Sequence, residues 1–499
     1  MCIYVYSRKS FDLLTLIVIL SCFKKFKVQV TRIELKEKIF EIISNAADEI
    51  GVKAYVVGGY VRDQFLQRNS KDIDIVAVGN GIDLARAVAN KMKVKKIAIF
   101  KNFGTAQIKT GDLEIEFVGA RKESYSQDSR KPMVEDGSLS EDQYRRDFTI
   151  NALAASLSKN DFGKILDPFN GLDDIKNRII RTPLDPIITF SDDPLRMIRG
   201  IRFASQLGFD IENTTYEAIC ENISRLEIVS KERIVDEFNK ILLSPKPSVG
   251  LMLLESSGLL NAFFPHLQHL KGVEIFENKK HKENFEHTLQ VVDHISLNSP
   301  DLWLRWAALL HDIGKPATKQ FNKVAGWTFH GHEVTGSRLV AEIFRELRLP
   351  LNEKMKYVQK LVLLHLRPIA LVHEVVTDSA VRRLLFEAGN DIDDLMQLAE
   401  ADITSKNETK VRTYLNNFKI VRQKLKEVEE KDRVRNMQPP VSGEEIMQIF
   451  NLPPCKIVGD LKNQIKDAIL DGVVENDREA VLKYLFLIAK DKGIEPVSL

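Results

Sequence analysis

The chain has 499 residues, enough for several domains at roughly 100–200 residues each. Fractions of 44% hydrophobic and 28% charged residues are those of ordinary globular protein and argue against wholesale disorder. A net charge of +2 neither demands nor excludes a nucleic-acid partner, because a local basic face hides easily in a neutral total. Cys2, Cys22, Cys220 and Cys455 lie far apart with no CxxC pair, which argues against a disulfide framework or zinc ribbon and fits a reducing cytosol.

The first element is SRKSFDLLTLIVILSCFKKFK, an apolar run of about a dozen residues between basic clusters, too short for a comfortable transmembrane helix. Its order of charge, apolar run and small residue suits a signal or lipoprotein-like leader. The preferred reading is an upstream start that extends the chain, with no stable membrane association. A helical pattern begins near Thr31, with Ile33, Ile39, Phe40, Ile43 and Ala47 on one face. AYVVGG (54–59) reads as a strand running into glycines and a helix. KDIDIVAVG (71–79) is a second strand, LARAVANKM (84–92) a helix, and 97–120 supplies two or three further strands. The polar stretch 121–143 is expected to be a mobile, functional loop. After DPFNGLDDI the chain reads as helical to its end, with breaks near 244–248, 281 and 436–445. The plan is a small α/β head followed by a long helical body.

Gly58 and Gly59 sit where a strand becomes a helix, so the backbone can approach a ligand and the helix start offers N–H groups to an anion. Arg62, one turn in, adds charge suited to a phosphate. Alone, this is an ordinary strand–helix turn. Asp72 and Asp74 alter the balance, because residues i and i+2 of a strand share a face. Two carboxylates so close repel, and a divalent cation relieves the repulsion. Mg²⁺ favours a few carboxylates plus substrate phosphates. A third carboxylate would complete a two-metal clamp. Glu114 and Glu116 both alternate correctly; Glu116 is preferred, and spacing does not separate them.

RRDFTINALA (145–154) reads as a helix that Asp147 caps and that includes Asn151. In SDDPLRMIRGIRFASQLGF (191–209), Arg196, Arg199 and Arg202 recur every three residues beside Asp193. The opposite face, Leu195, Ile198 and Ile201, is apolar, so the arginines are expected to be displayed, in a fork suited to phosphate.

GGYVRD, KDIDIV, RRDFTINALA, DPFNGLDDI, DDPLRMIRGIRF and SKERIVDEF, in that order, resemble the head and neck motifs of the bacterial tRNA nucleotidyltransferase/poly(A) polymerase family, the class II CCA-adding enzymes. The resemblance runs over about residues 50–240. It implies an α+β protein: a small nucleotidyltransferase head like that of DNA polymerase β, then an all-α neck, body and tail. It implies that Asp72 and Asp74 hold Mg²⁺ and that Gly59, Arg62 and Arg146 contact the incoming nucleotide, beside Gly58. Asp193, Arg196, Arg199 and Arg202 would form the neck site, with Asp193 and Arg196 reading CTP or ATP by Watson–Crick-like hydrogen bonds. Where the family usually has Glu–Asp, this chain has Asp192–Asp193. The 121–143 segment resembles the flexible element associated with the switch from C to A addition.

His287, the His311–Asp312 pair and Asp402 resemble the H…HD…D pattern of HD phosphohydrolases, which bind a divalent metal. His332 and His365 resemble the additional ligands of two-metal HD sites. The resemblance admits a hydrolase with Ni²⁺, Mn²⁺ or Fe²⁺, or a metal site that only stabilises the helical body. Residues 442–472 resemble the family's tail, with PPCKIVG in place of a commoner glycine-containing turn; with 406–435 they offer basic residues to a tRNA backbone. The expected domains are an extension (1–30), the head (31–155), a neck (156–275), an HD domain (276–410) and a tRNA-binding tail (411–499). The expected activity is Mg²⁺-dependent, cytoplasmic addition and repair of the 3′-terminal CCA of tRNA from CTP and ATP. The alternatives are A-adding, CC-adding or poly(A)-adding relatives, or an HD phosphohydrolase acting on RNA ends or nucleotides.

Overall fold

The computed structural model describes residues 31–497 apart from 102–103, 127–128, 273–274, 277–278, 281–282, 374–376, 405–406, 433 and 436. The expected extension at 1–30 lies outside the described residues. Two compact units divide the chain, the first ending at Asp185 and the second beginning at Pro186.

The first unit is built on a seven-stranded sheet in the order β3-β4-β5-β2-β1-β8-β9. Its strands are β1 (Lys53–Val57), β2 (Asp72–Val78), β3 (Ala98–Phe100), β4 (Thr105–Thr110), β5 (Leu113–Gly119), β8 (Ala154–Ser156) and β9 (Ile165–Leu166). β2 alternates as its sequence dictates: Ile73 and Ile75 are buried while Asp72 faces solvent. Its pairing with β5 is parallel, and with β1 antiparallel. Helices α1 (Lys38–Glu49), α2 (Gly59–Phe65) and α3 (Gly81–Met92) complete this layer. α1 starts at Lys38, so Ile33 falls outside the expected helix; its N–H bonds Gly163 instead, and Arg32 bridges to Lys164. Asn80 caps α3 by accepting from Ile82 and Asp83 N–H. The following Gly81 touches β5 so closely that a Cβ would lie 2.5 Å from the Val118 carbonyl carbon.

Two expectations need correction here. The 121–143 stretch is not a loop: it pairs as an antiparallel hairpin, β6 (Arg121–Ser126) and β7 (Ser129–Asp136), and then forms α4 (Leu139–Tyr144). Ladder bonds come from backbone groups, so a ribbon with no apolar alternation carries little strand signal. Ser138 and Glu141 form a reciprocal capping box at α4, and that spacing was readable. The first unit also continues beyond residue 155, because β9 pairs with β8 and closes the sheet edge.

The second unit is mainly helical. It carries α5 (Pro186–Asp192), α6 (Leu195–Leu207), α7 (Lys231–Leu242), α8 (Asn284–Asn298), α9 (Leu302–Leu310), α10 (His332–Glu346), α11 (Glu353–Leu364) and α12 (Ile392–Ala401) among others. α9 is almost wholly buried, with Trp306 against Phe238, Phe264 and Phe344. Arg305 on the same helix donates to the carbonyls of Leu242, Ser244, Ser296 and Ser299, satisfying acceptors at helix and loop ends. Among the described residues no helix is long and apolar enough to cross a membrane.

Candidate functional site

In the first unit, parallel register places Asp72 opposite Glu114 and Asp74 opposite Glu116. The two candidates for a third carboxylate differ in their surroundings. Glu114 pairs with Lys109 and accepts from Gln107 Nε2 at 3.2 Å. The Glu116 carboxyl is pushed above the usual range by partial desolvation and then by the Asp74 charge, against a smaller opposing effect of Arg121. Glu116 is thus the acid that shares its field with Asp74.

Beside this pair lies the turn between β1 and α2. Gly58 holds φ at +71°, and a Cβ there would meet Arg146 Nη1 at 3.1 Å and Asp74 Oδ2 at 3.6 Å. Gly58, Asp74 and Arg146 therefore share one small space. Arg146 is fixed by the fully buried Asp142, which accepts from its Nη2 at 3.0 Å and its Nε at 3.2 Å. Arg145 binds the other oxygen of the same carboxylate. Burial raises the Asp142 pKa, but Arg146 and Arg145 outweigh it and hold the carboxyl below its usual range.

Arg62 does not project freely from α2. It is 8% exposed and donates to Asn151 Oδ1 at 2.7 Å and to Asp63 Oδ1 at 2.8 Å. Asn151 Nδ2 in turn donates to Asp147 at 3.0 Å. The helix expected around Asn151 is a single 3₁₀ turn, Thr149–Asn151, and Asp147 serves Asn151 and the Phe148 N–H rather than capping a helix.

In the second unit Asp193 and Pro194 lead into α6, and Asp193 Oδ1 accepts from the Leu195 N–H at 3.3 Å. Of the three arginines of α6, Arg196 and Arg202 are not displayed, while Arg199 stays one-third exposed. Arg196 is 9% exposed, and Arg202 Nε lies 2.8 Å from Glu237 Oε2. Arg199 reaches the same carboxylate at 3.9 Å, and the Arg202 guanidinium stacks 4.0 Å from the Phe203 ring. The i, i+3 spacing marks a fork of arginines on one face but not what covers it, because the acid that collects them comes from α7. Glu237 lies within the SKERIVDEF motif, where nothing in its spacing marks it as the partner of α6.

The histidines lie together, in keeping with the resemblance to the HD pattern. His287 Nε2 lies 2.8 Å from Asp402 Oδ1; His311 Nε2 lies 3.2 Å from Asp312 Oδ2 and 3.5 Å from Asp402 Oδ1. His332 Nε2 lies 3.4 Å from the other oxygen of Asp312 and 3.4 Å from His365 Nε2. Two three-ligand groups result, His287–His311–Asp312 and Asp312–His332–His365, sharing Asp312. The Nδ1 atoms of His311, His332 and His365 donate to the carbonyls of Ala308, Phe329 and Val362 at 2.7–2.8 Å. A carbonyl only accepts, so each neutral ring keeps its Nε2 lone pair for the centre. Thr404 Oγ1 lies 2.7 Å from His287 Nδ1, and Lys315 Nζ donates to Asp312 at 2.6 Å.

Electrostatically the centre calls for a cation. Burial alone would depress His311, yet Asp312 and Asp402 push it up to about 10. Burial and the neighbouring His311 bring His365 down to about 4. Burial likewise lowers His287, against the pull of Asp402. Opposed by burial, the surrounding imidazoles still hold Asp402 and Asp312 below the carboxylate range. The donor set, imidazole nitrogens with a bridging carboxylate, fits a pair of divalent metals.

Residues 54–181 match the poly A polymerase head domain, 208–270 the probable RNA and SrmB-binding site of polymerase A, and 284–408 the HD domain. The A-adding tRNA nucleotidyltransferase of Deinococcus radiodurans is 30% identical over 86% of this chain and 94% of its own length. The CCA-adding enzyme of Geobacillus sp. WCH70 is 30% identical over 87% and 93%. An A-adding tRNA nucleotidyltransferase of Aquifex aeolicus is 40% identical, over 38% of this chain and 23% of that protein. In fold, the Bacillus stearothermophilus CCA-adding enzyme in complex with CTP matches with a TM-score of 0.64 at 24% identity, over 92% of this chain and 99% of that one. Divalent-metal dependence accompanies both matched catalytic domain types. The chain belongs to the bacterial class II tRNA nucleotidyltransferase/poly(A) polymerase family.

Proposed function

We propose that this nucleotidyltransferase adds and repairs the 3′-terminal CCA of tRNA in the cytoplasm, without a template, from CTP and ATP. The observation that carries the reading is the alignment of Asp72, Asp74 and Glu116 on adjacent parallel strands, with Gly58 and Arg146 against Asp74. Asp72, Asp74 and Glu116 would hold Mg²⁺, which lowers the pKa of an attacking hydroxyl and neutralises charge on departing pyrophosphate. Gly58 and Gly59 leave room for the triphosphate, and Arg146, oriented by Asp142, pairs with it. Arg62 holds Asn151 and so supports the turn. Asp193 and Arg196 read the base, while Arg199 and Arg202, gathered by Glu237, fix the helix that carries them. The tRNA 3′-hydroxyl attacks the α-phosphate, the new phosphodiester forms, and pyrophosphate leaves.

The relatives span A-adding and CCA-adding enzymes, so the test must separate them. tRNA lacking its last three nucleotides should gain two C from CTP alone and the full CCA from CTP and ATP together. Addition of A only to tRNA already ending in CC would assign the A-adding role instead.

A second reading rests on Asp312, whose two oxygens face separate histidine groups. The HD centre would take two divalent metals such as Ni²⁺, Mn²⁺ or Fe²⁺ and hydrolyse phosphate esters of nucleotides or RNA ends, with Lys315 beside the bridging carboxylate. Metal-dependent phosphate release that Asp312→Asn abolishes, with CCA addition retained, supports this; no release with any of the three metals leaves the centre a structural one.

A further inference from the structure

Away from the HD centre, a second histidine meets two carboxylates. His266 lies in the short helical segment Pro265–Gln268, and Glu342 and Glu346 are one turn apart near the end of α10. Ligand atoms of the three side chains all fall within 4.8 Å of one another. We propose that His266, Glu342 and Glu346 form a structural site for a transition divalent cation of the Zn²⁺ class, fastening the neck to the HD domain.

Three observations favour a metal over a simple ion pair. Glutamates at i and i+4 repel, and among the described residues no Lys or Arg is ion-paired with either one; the group that faces them is an imidazole. Even a protonated imidazole leaves this trio with a net negative charge. The second observation is the His266 Nδ1 atom itself, which is shielded from solvent and makes no hydrogen bond among the described residues. A shielded nitrogen that makes no hydrogen bond is unfavourable, and a metal bond would satisfy it. The third is distance: Nδ1 lies 3.5 Å from Glu346 Oε2. That is long for a charge-assisted hydrogen bond, which runs about 2.7–2.9 Å. Two ligands on one tetrahedral ion with arms of about 2.1 Å are separated by about 3.4 Å. The mixed nitrogen and oxygen donors suit Zn²⁺ better than Mg²⁺ or Ca²⁺, which prefer oxygen alone.

The position gives the site a purpose. His266 belongs to the stretch matched as RNA-binding, residues 208–270, whereas Glu342 and Glu346 lie within the HD match, residues 284–408. α10 begins with His332 of the HD centre, so an ion at its far end would anchor the helix that presents that ligand. Glu342 and Glu346 are exposed, which leaves the remaining coordination positions to water.

The test counts metal on the full-length protein after chelator stripping and titration with Zn²⁺. Wild type should hold one Zn²⁺ more than Glu342→Gln/Glu346→Gln, and its Zn²⁺-dependent rise in Tm should shrink in that variant. Asp312→Asn should lose zinc separately and additively, so failure of the HD reading leaves this count unaffected. His266→Gln, read through the visible absorption of bound Co²⁺, provides an independent measure should the double variant alter the fold. Equal zinc counts and Co²⁺ spectra in wild type and variants would reduce the cluster to a His–Glu ion pair and overturn the proposal.

Discussion

Arg202 Nε lies 2.8 Å from Glu237 Oε2, an ion pair between α6 and α7 whose side chains are 12% and 5% exposed. Arg202 also rests on the Phe203 ring, so its plane is fixed from two directions. Breaking such a buried pair by removing one partner costs about 3–5 kcal/mol. Glu237→Gln keeps the shape and removes the charge that gathers Arg199, Arg202 and Lys240. It should lower stability in urea by roughly 3 kcal/mol. Discrimination between CTP and ATP should weaken with it, because α6 also carries Arg196. Arg202→Lys should not restore either property, since an ammonium cannot reproduce the planar fork. Equilibrium unfolding and single-nucleotide incorporation read the two effects separately.

Asp142 does comparable work in the head. It is fully buried, accepts from both Arg145 and Arg146, and has a pKa below the ordinary range. A depressed folded pKa contributes stability above the unfolded value of about 3.9, and that contribution is lost as pH falls through the folded value. Asp142→Asn should therefore be less stable at neutral pH, by about 3 kcal/mol. Its difference from wild type should narrow on acidification below pH ~4. The variant should also raise KM for the nucleotide, because Arg146 loses the group that orients it. A thermal-melt series against pH, paired with nucleotide titration at neutral pH, checks both.

These two residues also mark how far the sequence can be read. Asp72 and Asp74 were legible because alternation along one strand places both on one face without help from elsewhere. The six HD residues were legible because their types are few and their order is distinctive. Asp142 and Glu237 were not, since an acid on a helix reads as solvent-facing until the element that buries it is known. The same reason misplaced the arginines of α6: spacing describes a helix face, whereas only packing against α7 decides what covers it. The β6–β7 hairpin escaped notice for another cause. Its pairing is made by backbone groups, and its polar residues carry no period.

Register sets each of Glu114 and Glu116 opposite an aspartate, but Glu114 is engaged by Lys109 and Gln107 whereas Glu116 shares the field of Asp74, which separates two acids that alternation left equivalent. Glu116→Ala should reduce nucleotide incorporation by about 10²–10³-fold, the scale of losing one group that stabilises transition-state charge. Glu114→Ala should change the rate only a few-fold while loosening Lys109 and Gln107 on the neighbouring strand. Raised Mg²⁺ should partly rescue Glu116→Ala and leave Glu114→Ala unaffected. Equal losses from the two variants would show that both acids serve the same centre.

The HD centre makes the remaining prediction through its shared carboxylate. Asp312 belongs to both three-ligand groups, whereas His365 belongs to one. Asp312→Asn should therefore abolish metal binding at both positions, and His365→Ala should remove one ion and leave the His287–His311 side loaded. Because the metal binds only the folded form, chelation should lower Tm. The stability at stake is about 2.7 kcal/mol if the free metal stands at 100 times its Kd. Asp312→Asn should start near the chelated Tm and gain little from added metal, while His365→Ala should lie between. Metal analysis on the desalted proteins, with melts before and after chelation, measures both quantities. Full occupancy in Asp312→Asn would mean that the two histidine groups hold metal without the carboxylate that the geometry places between them.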